Sequence, residues 1–115
     1  MSRRAWQERI RDILDAIEQV QTFTRDMNAE SFAADTRTQR AVEMNFIVIG
    51  EAATNIPQDI QEQHADVPWS LMRAMLNRLV HVYFNVDPLV VWGIVQDDLP
   101  SLVEPLQQLL ERDLQ

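Results

Sequence analysis

The stretch Trp69–Phe84, WSLMRAMLNRLVHVYF, decides the fold. Trp69, Met72, Leu76, Leu79 or Val80, and Tyr83 recur at three-and-four spacing, the signature of an amphipathic helix. Successive residues of a helix turn by about 100°, which sets Arg73, Asn77 and His81 along a neighbouring ridge at four-residue steps. Residues so spaced touch one another, and Arg78, three before His81, is also in reach. Polar, basic and titratable groups therefore gather along one edge of an otherwise apolar helix.

The segments on either side repeat the helical period. Towards the N-terminus, Trp6, Ile10, Ile13, Ile17, Val20 and Phe23 mark a first helix whose other side carries Arg9, Asp12, Asp15 and Glu18. Asp12 and Asp15 lie one turn apart, but no third ligand is in view, and they read as a solvated face. A polar link, Asp26–Asp35, has room for a short helical turn at Ala29–Ala34. Thr36 with Gln39 then reads as a capping box for a second helix running to about Asn55. Val42, Phe46, Ile49 and Ala53 form its main stripe, and Met44, Ile47 and Val48 add apolar surface on other sides. Such a helix is covered on several sides, centrally or by another chain. Gly50 costs about 1 kcal/mol against alanine inside it, and close approach of a neighbouring helix is the expected compensation.

Prolines punctuate the remainder. Pro57 ends the second helix and opens a short third one through Gln63, and Pro68 opens the helix quoted above. Asp87-Pro88 supplies a cap and a first-turn proline for the last helix. Its stripe is Trp92, Val95, Leu99, Leu102, Leu106 and Leu109, with Pro100 and Pro105 inside it, which predicts a kink near Asp97–Pro100. No segment alternates with period two. The expected architecture is all-α: an up-and-down helical bundle of four main helices plus a short fifth, in one domain spanning residues 1–115.

Composition narrows the function. The 115 residues contain no cysteine, so disulfides and thiolate metal sites are excluded. With two histidines, one of them His64 beside Asp66 and read as a surface residue, a zinc site is not expected. The early charges of MSRRAWQERIRD argue against a signal peptide, and no apolar run approaches membrane-spanning length, so a soluble cytoplasmic protein is expected. A net charge of −8 rules out binding nucleic acid through a generally basic surface; any RNA contact must be a local site, or a site assembled between chains. All 10 positive charges are arginine, whose planar fork suits carboxylate and phosphate.

Histidine exchanges protons near neutral pH, and arginine can hold a phosphate gaining negative charge. His81 with nearby arginines would therefore suffice for metal-free RNA cleavage by the substrate's own 2′-hydroxyl. The plainer alternative is a partly buried His81 bonded to Asn77 or to a main-chain carbonyl.

The signposts Ile49–Ala52 (IGEA), Val67–Trp69 (VPW), Asn77–Phe84 (NRLVHVYF), Val86-Asp87 and Asp98–Leu102 (DLPSL) give the whole chain a resemblance to HEPN domains of the HepT type. The resemblance implies an α-helical homodimer and a metal-independent endoribonuclease toxin with no cofactor. Its active site would lie in the cleft where the motif helices of two subunits meet. The family motif is an arginine, four to six residues, then histidine, often extended by any residue and a tyrosine. It maps the histidine onto His81, the tyrosine onto Tyr83, and the polar residue after the arginine onto Asn77. The arginine position is occupied by Leu76. Losing a phosphate-contacting group should cost roughly 2.7–4 kcal/mol of transition-state stabilisation unless Arg73 or Arg78, of either subunit, replaces it. The resemblance further implies a minimal nucleotidyltransferase antitoxin that transfers AMP to Tyr83, otherwise a core aromatic. Glu51 could orient His81 or an arginine, or form an ordinary ion pair. The alternative function is a catalytically impaired HEPN dimer serving as binding partner or substrate of that nucleotidyltransferase.

Overall fold

The computed structural model describes residues 5–81 and 87–113, with the backbone alone at 78–81 and 113. Within them the chain is predominantly helical and no strand forms, so the all-α expectation holds. The helices are α1 (Trp6–Thr24), α2 (Ala29–Ala33), α3 (Thr36–Thr54), α4 (Gln58–Gln63), α5 (Trp69–His81), α6 (Pro88–Gly93) and α7 (Leu99–Asp113), with a π-helical turn, Ile94–Asp98, joining the last two.

The central element is α3, packed against α1 on one side and α5 on another, while α7 closes over α1. Ile10, Ile13, Ile17 and Val20 of α1 meet Val42, Phe46, Ile49 and Ala53 of α3, all buried as their spacing predicts. Phe23 is the exception. It is 45% exposed, and Thr24 takes the buried position, its hydroxyl donating to the Val20 carbonyl at 2.8 Å. The true stripe steps 10, 13, 17, 20, 24, and the aromatic lies one residue off it.

The capping of α3 also differs from the sequence reading. Asp35, not Thr36, is the cap, accepting hydrogen bonds from the Thr38 N–H at 3.0 Å and the Thr38 hydroxyl at 2.7 Å. Gln39 does not reach back to its own helix start. Its amide donates to the carbonyls of Phe32 and Ala33 at 2.9 and 3.0 Å, satisfying the orphan C-terminus of α2. The short turn expected in this link is α2 itself, capped by Asn28 through a reciprocal pair with Ser31.

Asp87 caps α6, accepting from the Leu89 N–H at 2.9 Å, with Pro88 in the first turn. The expected kink takes the form of the π-helical turn. Pro100 lacks the N–H of an ordinary helical bond and its ring crowds the carbonyl four residues back. The Leu99 N–H instead reaches the Ile94 carbonyl, five residues back. That wider turn keeps Val91, Val95 and Leu99 on one buried face, continuous with Leu102, Leu106 and Leu109. Trp92 is half-buried, its ring 5.3 Å from that of the fully buried Phe32.

Candidate active site

The motif helix α5 is pinned at its start. Pro68 disfavours helical backbone at Val67, and the Trp69 indole N–H donates to the His64 carbonyl at 3.1 Å, fixing the helix start to the end of α4. Trp69, Met72 and Met75 are buried, so Met75 rather than Leu76 occupies the deepest stripe at that level. Leu76 is half-buried at the seam with α3.

That seam explains Gly50. A Cβ placed there would collide with the Leu76 Cβ and come within 3.3 Å of its Cα and main-chain nitrogen. Glycine therefore lets α3 and α5 approach main chain to main chain, as its position inside an apolar helix predicts. The residue it faces stands where the motif arginine is expected.

The predicted site residues divide into three groups. Asn77 is exposed, one turn beyond Arg73, and Glu51 is exposed on α3 immediately after the Gly50 contact. Arg73 is half-buried and turned towards α4. One terminal nitrogen donates to the Gln61 side-chain oxygen at 2.8 Å and the other meets the Ser70 hydroxyl at 3.4 Å. Eight helical residues, about 12 Å along the axis, separate it from His81 in one subunit. Arg78 and His81 fall within α5, but their side chains lie outside the described residues, as does Tyr83 altogether.

Arg73 owes its direction to a residue that the sequence reading passed over. The Gln61 amide donates to the Ile56 carbonyl at 2.9 Å and the Ala53 carbonyl at 3.5 Å, which leaves its oxygen facing the guanidinium. Nothing in the sequence signals this, because the partners lie on separate helices. His64 departs from its surface reading as well. It is half-buried with its ring centroid 6.5 Å from that of Trp6, and its Nδ1 is buried without a hydrogen-bond partner among the described residues. Among the described residues no three His, Cys, Asp or Glu side chains converge as a metal site, and no helix is long and apolar enough to cross a membrane.

A family model described as Ribonuclease HepT-like matches residues 13–109. The chain belongs to that family. It is 40% identical over 107 residues to the Thermococcus cleftensis protein named Probable ribonuclease HepT, covering 93% of this chain and 97% of the relative. Two Methanocaldococcus jannaschii proteins with provisional RNase designations are each 33% identical. One match covers 87% of this chain and 83% of the relative, the other 93% and 98%. No solved structure matches. In this HepT-like chain the matched span holds all of α3 and α5, and with them Leu76 opposite Gly50.

Proposed function

We propose that this chain is the ribonuclease toxin of a toxin–antitoxin pair, working in the cytoplasm as a homodimer. It cuts RNA without a metal at a His81-centred site where two α5 helices meet. The observation that carries the reading is the family match through α5, which includes the Asn77–His81 ridge. In the proposed step the 2′-oxygen attacks phosphorus and a P–O2′ bond forms as the P–O5′ bond breaks. The 2′-hydroxyl gives up its proton, and the departing 5′-oxygen receives one. His81 carries a proton at one of these oxygens, Asn77 hydrogen-bonds to His81 or the phosphate, and Glu51 orients the histidine. Arg73 is held towards α4, which leaves Arg78, one turn from His81, as the nearer arginine for the phosphate. Two copies meeting is supported by α3, where Met44, Ile47 and Val48 form an exposed apolar stripe, Met44 and Val48 bordering α1. A minimal nucleotidyltransferase acts as antitoxin by adding AMP to Tyr83, placing bulk and negative charge beside His81.

Leu76 favours a second reading: an impaired dimer that binds the nucleotidyltransferase, or is its substrate, without cutting RNA. Cleavage of labelled RNA in EDTA separates the two. The toxin reading expects wild type to cut and His81→Ala to be silent, with Leu76→Arg faster by roughly 10²–10³-fold. Cutting by Leu76→Arg alone supports the impaired dimer. Silence from all three refutes the ribonuclease assignment.

A further inference from the structure

Arg73 is a guanidinium held in place with its charge left intact. Its partners are a neutral amide and a neutral hydroxyl, and no carboxylate pairs with it among the described residues. By contrast, Arg40 is clamped by Glu43 and Arg112 is paired with Asp66. Gln61 is in turn anchored to the main chain at Ala53 and Ile56, so the oxygen that orients Arg73 cannot turn away without losing those bonds. A guanidinium fixed this way loses little freedom on binding an anion, and its unused N–H groups form a fork suited to phosphate.

The guanidinium borders an open groove of about 580 Å³ between α4 and the first turn of α5. Ala65, Val67, Pro68 and Leu71 give that groove an apolar wall, with Ser70 and Gln61 beside Arg73 and Glu62 at its α4 side. An apolar wall next to a fixed cation matches a nucleotide, which brings a flat base or ribose together with a phosphate. An acidic peptide would use the cation and leave the wall bare. Arg73 also shares a helical ridge with Asn77 and His81, about 12 Å from the histidine along the axis, so one strand can lie over both.

We infer that Arg73 and this groove bind a backbone phosphate of the RNA strand away from the scissile bond, making Arg73 an RNA-binding residue of the proposed ribonuclease. The inference rests on the ribonuclease reading and adds to it the grip on the flanking strand.

Anisotropy of fluorescein-labelled single-stranded RNA tests it on a His81→Ala background of the full chain, where cleavage cannot interfere. Arg73→Gln is expected to weaken Kd roughly tenfold or more and to flatten the slope of log Kd against log salt by about 0.7. Gln61→Glu is expected to do the same. It keeps the arginine and sets a carboxylate against the guanidinium, but gives up the amide bonds to the Ile56 and Ala53 carbonyls, so circular dichroism of both variants accompanies the titration and either folded variant decides the matter. Arg25→Gln removes an equal charge from the end of α1 and should leave Kd close to that of the parent. Folded Arg73→Gln and Gln61→Glu proteins that bind RNA like Arg25→Gln would overturn the site while leaving the ribonuclease reading intact. Polyglutamate displacing the probe as well as unlabelled RNA does would also overturn it, in favour of an acidic protein partner. A wild type that neither binds nor cuts RNA removes the ribonuclease reading, and this site with it.

Discussion

Replacing Gly50 by alanine isolates the contact on which the motif helix rests. In an open helix the change is favourable by about 1 kcal/mol, because alanine loses less backbone entropy than glycine. Here the new methyl collides with the Leu76 Cβ and presses on its Cα and main-chain nitrogen at 3.3 Å. None of these atoms can swing aside as a side-chain tip can, so α3 and α5 must separate. Overpacking of this kind costs typically 1–3 kcal/mol. The upper end applies when main chain has to move, and subtracting the propensity gain leaves a net loss of about 2 kcal/mol. For a domain of this size that lowers Tm by about 8 °C. Thermal and urea unfolding at fixed protein concentration measure it. The second substitution of a double-mutant cycle identifies the cause. Leu76→Ala retains the Cβ and should not rescue Gly50→Ala, whereas Leu76→Gly removes it and should show a favourable coupling of about 1 kcal/mol or more. A Gly50→Ala protein as stable as wild type, or a cycle with no coupling to Leu76→Gly, would refute the close approach of the two helices.

The exposed stripe of α3 predicts that Ile47→Asp stays folded by circular dichroism but sediments as a monomer where the wild type sediments as a dimer; a monomeric wild type would refute the two-copy site. The Asp35 carboxyl is held below its ordinary value of 3.8, chiefly by the Thr38 N–H and then the Thr38 hydroxyl, with Arg37 assisting against partial desolvation. A depressed folded pKa contributes stability above the unfolded value that is lost as pH falls through the folded one. Asp35→Asn should therefore flatten the fall in unfolding free energy below about pH 3.8, and an unchanged acid limb would show that the cap carries no charge-dependent stability. Incubation with the nucleotidyltransferase and ATP should add AMP to Tyr83, seen as an intact-mass increase absent from Tyr83→Phe. An equal increase in Tyr83→Phe would place the modification elsewhere.

The sequence made the helices legible because their cores repeat at fixed spacing and their ends carry Asp87-Pro88, Pro57 and Pro68. Choices between chemically equivalent neighbours were not legible. Asp35 and Thr36 are both able caps, and Asp35 takes the role because Thr38 supplies two donors to it, while the end of α2 recruits the amide of Gln39. Phe23 and Thr24 sit one residue apart near the edge of a stripe, where buried area favours the aromatic and helix geometry favours the threonine. Geometry decides, since the Thr24 hydroxyl satisfies itself on the Val20 carbonyl. The direction of Arg73 was hidden for a similar reason, because it depends on Gln61 on another helix.

At Leu76 two readings of the sequence converge: an apolar stripe residue and a missing arginine. The contact with Gly50 is made by the nitrogen, Cα and Cβ of residue 76. Every residue except glycine offers all three, proline lacking only the N–H, so the close approach of α3 and α5 does not select leucine over arginine. What lies beyond the Cβ is half-buried at the seam, where an arginine can lay its methylenes along apolar surface and keep its head in water. The bundle therefore tolerates the family's residue at this position, and packing does not account for its absence. In the proposed site leucine there would remove a phosphate contact while leaving the scaffold alone, which is why Leu76→Arg is a test of activity with little risk to the fold.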